Sequence, residues 1–247
     1  MREDLTAFYL LGAVVALLIG ADKGGVGGML GILGVPIMSQ IIPVNEAIAV
    51  ILPMLIFGDL FAISSHWKHW NSALLPRLLP GGVLGVLVGT FVLVNISPQS
   101  LRIALAVVIF VFFVYRLVEQ RIIGKFLYQP RSWHGILGGA AAGLTSTIAH
   151  AGGPPITIYL LLQKLQPRMF VATAAVFFAT INLFKLPFYA AAGLFTEARL
   201  LSVIWLLPLV PVGVWLGRHL ATRVPRLAFE RLVGVLLLLA AGLMLRS

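Results

Sequence analysis

The sequence predicts an all-α integral membrane protein that forms a single transmembrane domain over residues 1–247. Of the 247 residues, 60% are apolar and only 11% are charged, whereas soluble domains are roughly half apolar and a quarter charged. The mean hydropathy is +1.03. A water-soluble fold of this length could not bury so much apolar surface in one core, so we expect membrane lipids around most of the chain.

The positions of the charged residues support this interpretation. The net charge is +10, and most Lys and Arg residues lie in short segments between apolar runs. That placement is typical of membrane topology and of contact with anionic lipid, and it argues against a nucleic-acid partner. The chain has no cysteine, which excludes disulfides and thiolate metal sites. We expect no cofactor.

Two histidines, His66 and His69, alternate with Trp67 and Trp70 after an apolar run. A His-x2-His spacing can hold a metal ion, but no carboxylate lies near it in the sequence. Aromatic rings and cations together are typical of the membrane–water interface. We therefore predict an interfacial anchor here, and no metal site.

Six apolar runs reach the roughly 17–25 residues that a helix needs to cross a membrane. They are residues 47–65, 74–94, 101–118, 170–194, 200–217 and 228–245. Four further runs form two pairs that glycines join, 5–21 with 26–42 and 135–149 with 156–163. Because eight residues of helix extend only ~12 Å, the second pair is too short for two crossings. We interpret each pair as a glycine-broken helical hairpin.

The two halves of the chain resemble each other. The glycines at 20, 24 and 34 and the proline at 36 recur at 139, 143, 153 and 155. Asp-Leu-Phe at 59–61 recurs as Asn-Leu-Phe at 182–184, and a Leu-Pro pair followed by two glycines at 79–89 recurs at 207–217. Three matches in register predict a duplication, with repeat 1 at about 5–120 and repeat 2 at about 133–247.

The positive-inside rule decides how each repeat crosses the membrane. If each glycine-broken pair enters and leaves on one side, the segments on that side carry twelve Lys and Arg residues and the opposite side carries four. Each repeat is then a hairpin plus three transmembrane helices, and the odd number of crossings inverts one repeat relative to the other. Inverted repeats with broken segments at matching positions are typical of secondary transporters. We predict a multi-pass protein of the cell inner membrane.

The two glycine breaks are the predicted substrate site. Irregular backbone at membrane depth is tolerated where protein buries it or where it lines a wet cavity. Each break frees the N–H groups of the helix that follows, near 27–30 and 156–158, and such groups favour an anion. The predicted site glycines are Gly25, Gly27, Gly28, Gly152 and Gly153. For the glycines at 20, 24, 85 and 89 we prefer close helix packing as the explanation.

Ionisable residues inside apolar segments are costly and usually mark function. Lys23, Lys185 and His150 could contact an anion, and Asp59 could balance a lysine or carry a proton that couples transport. The alternative is a buried Asp–Lys pair that fixes helix packing. Asp22 either belongs to the same site or lies at a wet hairpin tip.

Hydroxyl and amide groups complete the candidate site. Thr145 and Ser146 precede the second break and could bind an oxyanion, although such hydroxyls often bond back to their own helix. Asn182 occupies the position in repeat 2 that Asp59 occupies in repeat 1. An amide in place of a carboxylate would suit an asymmetric ligand, and sequence drift explains it equally well.

Residues 21–36 (ADKGGVGGMLGILGVP), the triplet 59–61 and residues 150–155 (HAGGPP) resemble the sulfite exporter TauE/SafE family. The resemblance covers essentially the whole chain. It implies a membrane transporter of about eight helices for sulfite, sulfoacetate, thiosulfate or sulfonates, coupled to an ion gradient. The compact glycine triplet of the family is here spread into a Gly-Gly-x-Gly-Gly run.

Two other function classes share some of these sequence features. A channel, or another membrane factor without coupled transport, would share the composition and the breaks. An intramembrane enzyme could use Ser146 and His150, which are four residues apart and would share a helix face. The chain has no H-E-x-x-H and no G-x-S-x-G sequence, so we expect a non-enzyme. The expected partners are a small anion and membrane lipids, and a homo-oligomer is left open.

Overall fold

The computed structural model describes residues 5–26, 30–122, 131–223 and 226–246. It is 84% helix, and the described residues contain no β-strand. The described α-helices, in chain order, are α1 (Leu5–Ala21), α2 (Gly34–Met38), α3 (Val44–Ser65), α4 (Leu75–Asn95), α5 (Pro98–Ile122), α6 (Ser132–Ala149), α7 (Gly153–Leu162), α8 (Pro167–Ala191), α9 (Glu197–Ile204), α10 (Leu209–Arg223) and α11 (Arg226–Arg246). A π-helical turn (Asp22–Val26) follows α1, and a 3₁₀ turn (Gly31–Leu33) precedes α2.

The protein is a multi-pass membrane protein with five helices long and apolar enough to span a membrane among the described residues. Four of them, α3, α4, α5 and α8, correspond to predicted spans. The predicted span 200–217 is instead two helices, α9 and α10, bent by 51° at their junction. Pro208 precedes α10 directly, and a proline there cannot donate the backbone hydrogen bond of a continuous helix.

The fifth long helix corrects the predicted hairpin arm. Residues 5–25 are continuous enough to cross the membrane by themselves, because α1 does not stop at the first glycine but widens into the π-helical turn. The predicted span 228–245 lies in α11, a helix of 21 residues.

Two helix pairs pack at backbone contact through glycines. In the pair α1–α10, a methyl group at Gly20 would overlap the carbonyl oxygen of Val210, and a methyl group at Gly213 would overlap that of Leu17. In the pair α4–α6, a methyl group at Gly85 would likewise overlap the carbonyl oxygen of Ala140. These contacts confirm the packing interpretation of the spaced glycines, since only a residue without a side chain permits such an approach.

The two helix pairs flank a central crossing of α3 and α8, and α5 packs on α11. Apolar side chains such as Phe91 and Val107 point outward from α4 and α5, as lipid-facing residues do. Eight polar or charged residues are buried in the described part of the protein. Four of them, including both charged ones, are hydrogen-bonded to one another where α3, α6 and α8 meet: Asp59, Ser146, Asn182 and Lys185. The interior polarity of the protein is therefore concentrated where the two halves meet.

Candidate functional site

The first break is the end of the π-helical turn. Gly25 has φ +131°, a backbone conformation that residues with a Cβ rarely adopt. Asp22, at the start of the turn, accepts a hydrogen bond from the Leu30 N–H at 3.0 Å and so connects the two sides of the break. The predicted site residues Gly27 and Gly28 lie outside the described residues.

The second break lies where the sequence predicts it, but a histidine makes the turn. α6 ends at Ala149, and His150 has left-handed backbone angles of φ +51° and ψ +29°. Gly152 has ordinary helical angles; its role is close approach, because an added Cβ would lie 2.7 Å from the carbonyl oxygen of Ala142. The His150 side chain reaches across the protein, with Nε2 at 2.9 Å from the carbonyl oxygen of Ile48 in α3.

The prediction of two tips rich in free N–H groups needs correction. At the first break the described N–H of Leu30 is already bonded to Asp22, and α2 is only five residues long. At the second break, Pro154 and Pro155 lie in the first turn of α7 and have no N–H to offer. Side chains, rather than a row of backbone amides, must therefore provide most of the positive potential at the second break, whereas the N–H groups of residues 27–29 at the first break lie outside the described residues.

An ion pair joins the first break to the central crossing. The Lys23 Nζ atom lies 2.6 Å from the Asp59 Oδ1 atom of α3. The second oxygen of this carboxylate, Oδ2, accepts a hydrogen bond of 2.8 Å from the Asn182 side-chain amide of α8. The first residues of the two matching triplets, Asp59-Leu-Phe and Asn182-Leu-Phe, thus touch each other.

The network of polar side chains that begins with Lys23, Asp59 and Asn182 continues into the second half of the protein. Lys185 is fully buried and donates to three oxygens, the backbone carbonyl of Ser146 at 2.9 Å, the hydroxyl of Ser146 at 2.8 Å and the Asn182 Oδ1 at 2.9 Å. A lysine can only donate and a carboxylate can only accept. The orientation of the Asn182 amide between Lys185 and Asp59 is therefore dictated by its two neighbours.

A cavity of about 320 Å³ lies beside this network of bonded polar side chains, and residues of both breaks line it. Its polar lining includes Asp22 and Lys23 from the first break, His150 at the second, and Ser146, Asn182 and Thr157. Gly25 and Gly153 also lie in its wall. Asp59 and Lys185, by contrast, lie behind the wall, covered by the residues to which they bond.

The cavity extends toward one end of the helices. Its lining reaches His66, just after α3, and Phe170 and Val171, in the first turn of α8. These positions adjoin the segments 66–77 and 163–169, which belong to the side rich in Lys and Arg. At the inner end, Lys23 Nζ lies 5.4 Å from the ring centroid of Phe178, so the cation faces an aromatic wall.

The remaining predicted site residues have structural partners. The Thr145 hydroxyl donates to the carbonyl oxygen of Ala141 at 2.7 Å, the bond back to the helix that is common in apolar surroundings. Ser146 and His150 bond to Lys185 and Ile48 respectively rather than to each other, so they do not form a nucleophile–base pair. No group of three or more His, Cys, Asp or Glu suited to a metal occurs within the described ranges.

A model of the sulfite exporter TauE/SafE family matches residues 12–244. The chain belongs to this family. TauE/SafE proteins are membrane transporters of sulfite or related anions, and the family is not one of enzymes. Comparisons with curated proteins and with solved structures gave no match.

Within this TauE/SafE protein, sequence reasoning missed two features of the site. The first is the direct contact of Asp59 with Asn182, which the predicted repeats would imply if these two matched positions lay near an axis relating them. His66 lines the cavity, although the sequence places it only in an interfacial anchor. No sequence signal distinguishes those two roles.

Proposed function

We propose that this protein is a secondary transporter that carries a small sulfur-containing or organic anion, of the sulfite, thiosulfate, sulfoacetate or sulfonate class, across the cell inner membrane. The observation that carries the proposal is the cavity that both breaks line, with the Lys23 ammonium group in its wall. Ionisable side chains that face a cavity inside a membrane protein typically mark a substrate or ion pathway.

The cavity chemistry suits a small oxyanion. Lys23 offers N–H donors, Ser146 and Thr157 carry hydroxyls, and Phe178 excludes water from one side. A volume of about 320 Å³ is several times that of one water molecule, which occupies ~30 Å³ in the liquid. A small anion with a few waters of hydration fits such a space.

We further propose that the halves are inverted repeats. If a two-fold axis relates them, the contact of α1 with α10 must have a counterpart between α6 and α4, and both contacts are present. Helices that correspond to each other, α3 with α8 and α5 with α11, also pack together. Each of these contacts therefore joins a helix of one half to a helix of the other. This pattern supports a single transporter domain of two related halves that can rock against each other.

The described conformation corresponds to one state of an alternating-access cycle. The cavity ends near the Lys- and Arg-rich side, which the positive-inside rule assigns to the cytoplasm. At the opposite end, α3 is held to the second half by His150 on Ile48 and by the ion pair of Arg199 with Glu46, whose Nε and Oε2 atoms are 3.1 Å apart. This arrangement is expected of an inward-open state.

Transport in proteoliposomes tests the proposal. The purified protein is reconstituted and assayed with labelled sulfite, thiosulfate, sulfoacetate and methanesulfonate, against liposomes without protein. We expect saturable movement of at least one anion, and counterflow driven by unlabelled anion on the other side. Movement that does not saturate would favour a channel, and no movement of any of the four would refute the assignment.

A further inference from the structure

We propose that Asp59 is the proton-coupling residue of this transporter: the arriving anion takes Lys23 away from Asp59, and Asp59 binds a proton as the ion pair separates. This inference rests on the proposed function and names the coupling ion. The proton comes from water in the cavity and leaves Asp59 when Lys23 returns. Anion and proton therefore move in the same direction.

The ion pair is asymmetric in its access to the cavity. The side chain of Lys23 is 14% exposed and lines the cavity, whereas the side chain of Asp59 is 1% exposed and lies behind it. An anion in the cavity can therefore reach Lys23 without passing Asp59. Among the described residues, the charged group that Asp59 contacts is Lys23 alone, so the loss of this partner leaves the carboxylate buried with only the Asn182 amide.

A buried carboxylate without a cation is unfavourable. Breaking one side of a buried pair typically costs about 3–5 kcal/mol, because the remaining charge is uncompensated. A carboxyl group avoids this cost by binding a proton. The Asn182 amide donates its hydrogen bond to the Asp59 Oδ2 atom, whereas Lys23 faces the Asp59 Oδ1 atom. A proton can therefore occupy Oδ1 while the hydrogen bond from Asn182 remains in place.

The formal charges around the cavity lead to the same result. Lys23 and Lys185 balance Asp22 and Asp59, so the site has no net charge before the anion enters. A monoanion adds one negative charge, and one proton on Asp59 removes it. The complex that must cross the membrane interior is then neutral overall, which the cost of intramembrane charge favours.

Other groups near Asp59 do not substitute for it. Lys185 does not line the cavity and already has three oxygen acceptors, and Asp22 binds the Leu30 N–H. His150 is directed toward Ile48. On the other helices packed against α3, Arg218 of α10 contacts Ser65 near the cytoplasmic end and Arg199 of α9 contacts Glu46 at the far end.

The decisive experiment compares wild type with Asp59→Asn in proteoliposomes with an alkaline lumen and a membrane potential held at zero. Labelled sulfite, as the hydrogensulfite monoanion, and methanesulfonate are the probes. With one proton per anion, a gradient of one pH unit supports about tenfold accumulation in the wild type, since it is equivalent to ~1.36 kcal/mol. Asp59→Asn imitates the protonated acid, so it should exchange labelled for unlabelled anion but show no accumulation. Sulfite protonation itself is the same in both samples.

The outcomes separate the two proposals. If no anion moves in the wild type, the proposed function fails; if an anion moves but the pH gradient changes nothing, or if Asp59→Asn still accumulates it, only the coupling inference fails. Glu197→Gln, an exposed carboxylate at the start of α9, is the control that should retain accumulation.

A second measurement covers the case in which Asp59→Asn does not fold. Methanesulfonate, a monoanion that does not buffer near neutral pH, should raise the pH of weakly buffered wild-type protein in detergent, because its binding draws a proton onto Asp59. Binding of methanesulfonate with no proton uptake would overturn the inference.

Discussion

The two intramembrane lysines, one in each half of the protein, belong to the same network of polar side chains but differ in their partners and in their access to the cavity. Lys23 has one carboxylate partner and lines the cavity. Lys185 has three oxygen partners, is fully buried and lies behind Ser146 and Asn182. The first is a cation that can change partners, whereas the second is a fixed cross-link between α6 and α8.

This difference teaches that a buried charge is not by itself a binding group. The acceptors of Lys185 are a backbone carbonyl, a hydroxyl and an amide oxygen, and none of them gains a better partner when an anion enters. Lys23 shares its charge with Asp59, a group that can be neutralised by a proton. The half with the weaker structural constraint is therefore the half that we expect to handle the cargo.

The largest effect on stability should come from Lys185→Met. The substitution leaves the Ser146 hydroxyl and the Asn182 Oδ1 without their donor and removes a positive charge near Asp59, so we expect a loss of about 3–5 kcal/mol. The apparent melting temperature in detergent measures it. Lys164→Met, at an exposed position with the same residue change, is the control and should be neutral. An equally stable Lys185→Met protein would show that this lysine is not a structural cross-link.

Lys23→Met should have the reverse profile, a loss of transport with a smaller loss of stability. Counterflow should disappear, while the melting temperature falls by less than in Lys185→Met. The double variant Lys23→Met/Asp59→Asn should recover about 1–3 kcal/mol of stability, because it removes the carboxylate that the single variant leaves buried. If the double variant were no more stable than the single one, the Lys23–Asp59 pair would not be the coupled unit that its geometry indicates.

The sequence predicts the membrane class and four of the spans because both depend on composition and length. Runs such as 47–65 and 74–94 are too long and too apolar for any other environment. The bend between α9 and α10 is not predictable in the same way, since residues 200–217 read as one apolar run although Pro208 interrupts it. How far a proline bends a helix depends on what the two parts pack against.

The identities of the polar site residues can be predicted from the sequence, but which of them contact each other cannot. Lys23, Asp59, Asn182 and Lys185 stand out because polar groups within apolar segments are rare. Which lysine meets Asp59 depends on how α3 crosses α8, and no periodicity contains that information. At the second break, the expectation of free N–H groups is wrong because Pro154 and Pro155, which mark the break in the sequence, have no N–H to donate.

Glycine substitutions test whether the two helix pairs are equivalent. Gly213→Ala would bring a methyl group onto the Leu17 carbonyl in α1, and Gly85→Ala onto the Ala140 carbonyl in α6. Overpacking of this kind typically costs about 1–3 kcal/mol, and inverted repeats predict similar losses at both sites. Gly242→Ala in α11, where an added Cβ meets nothing within 4 Å, is the control and should be neutral or slightly stabilising. A large loss at one site only would argue against two equivalent halves.

The smallest effect should come from the ion pair that joins the halves at the far end of the cavity. Glu46→Gln weakens the contact of α3 with Arg199, a partly exposed pair worth about 0.2–1 kcal/mol, so the balance between the two access states should shift by at most about fivefold. The chain has no cysteine, so Ala174→Cys in the cavity wall provides a single reporter for an impermeant thiol reagent. We expect Glu46→Gln to slow its labelling from the cytoplasmic side, because the outward-open state gains population, while Glu197→Gln leaves the labelling rate unchanged. Faster cytoplasmic labelling in Glu46→Gln would mean that the pair holds the cavity closed on that side instead, and the assignment of an inward-open state would be wrong.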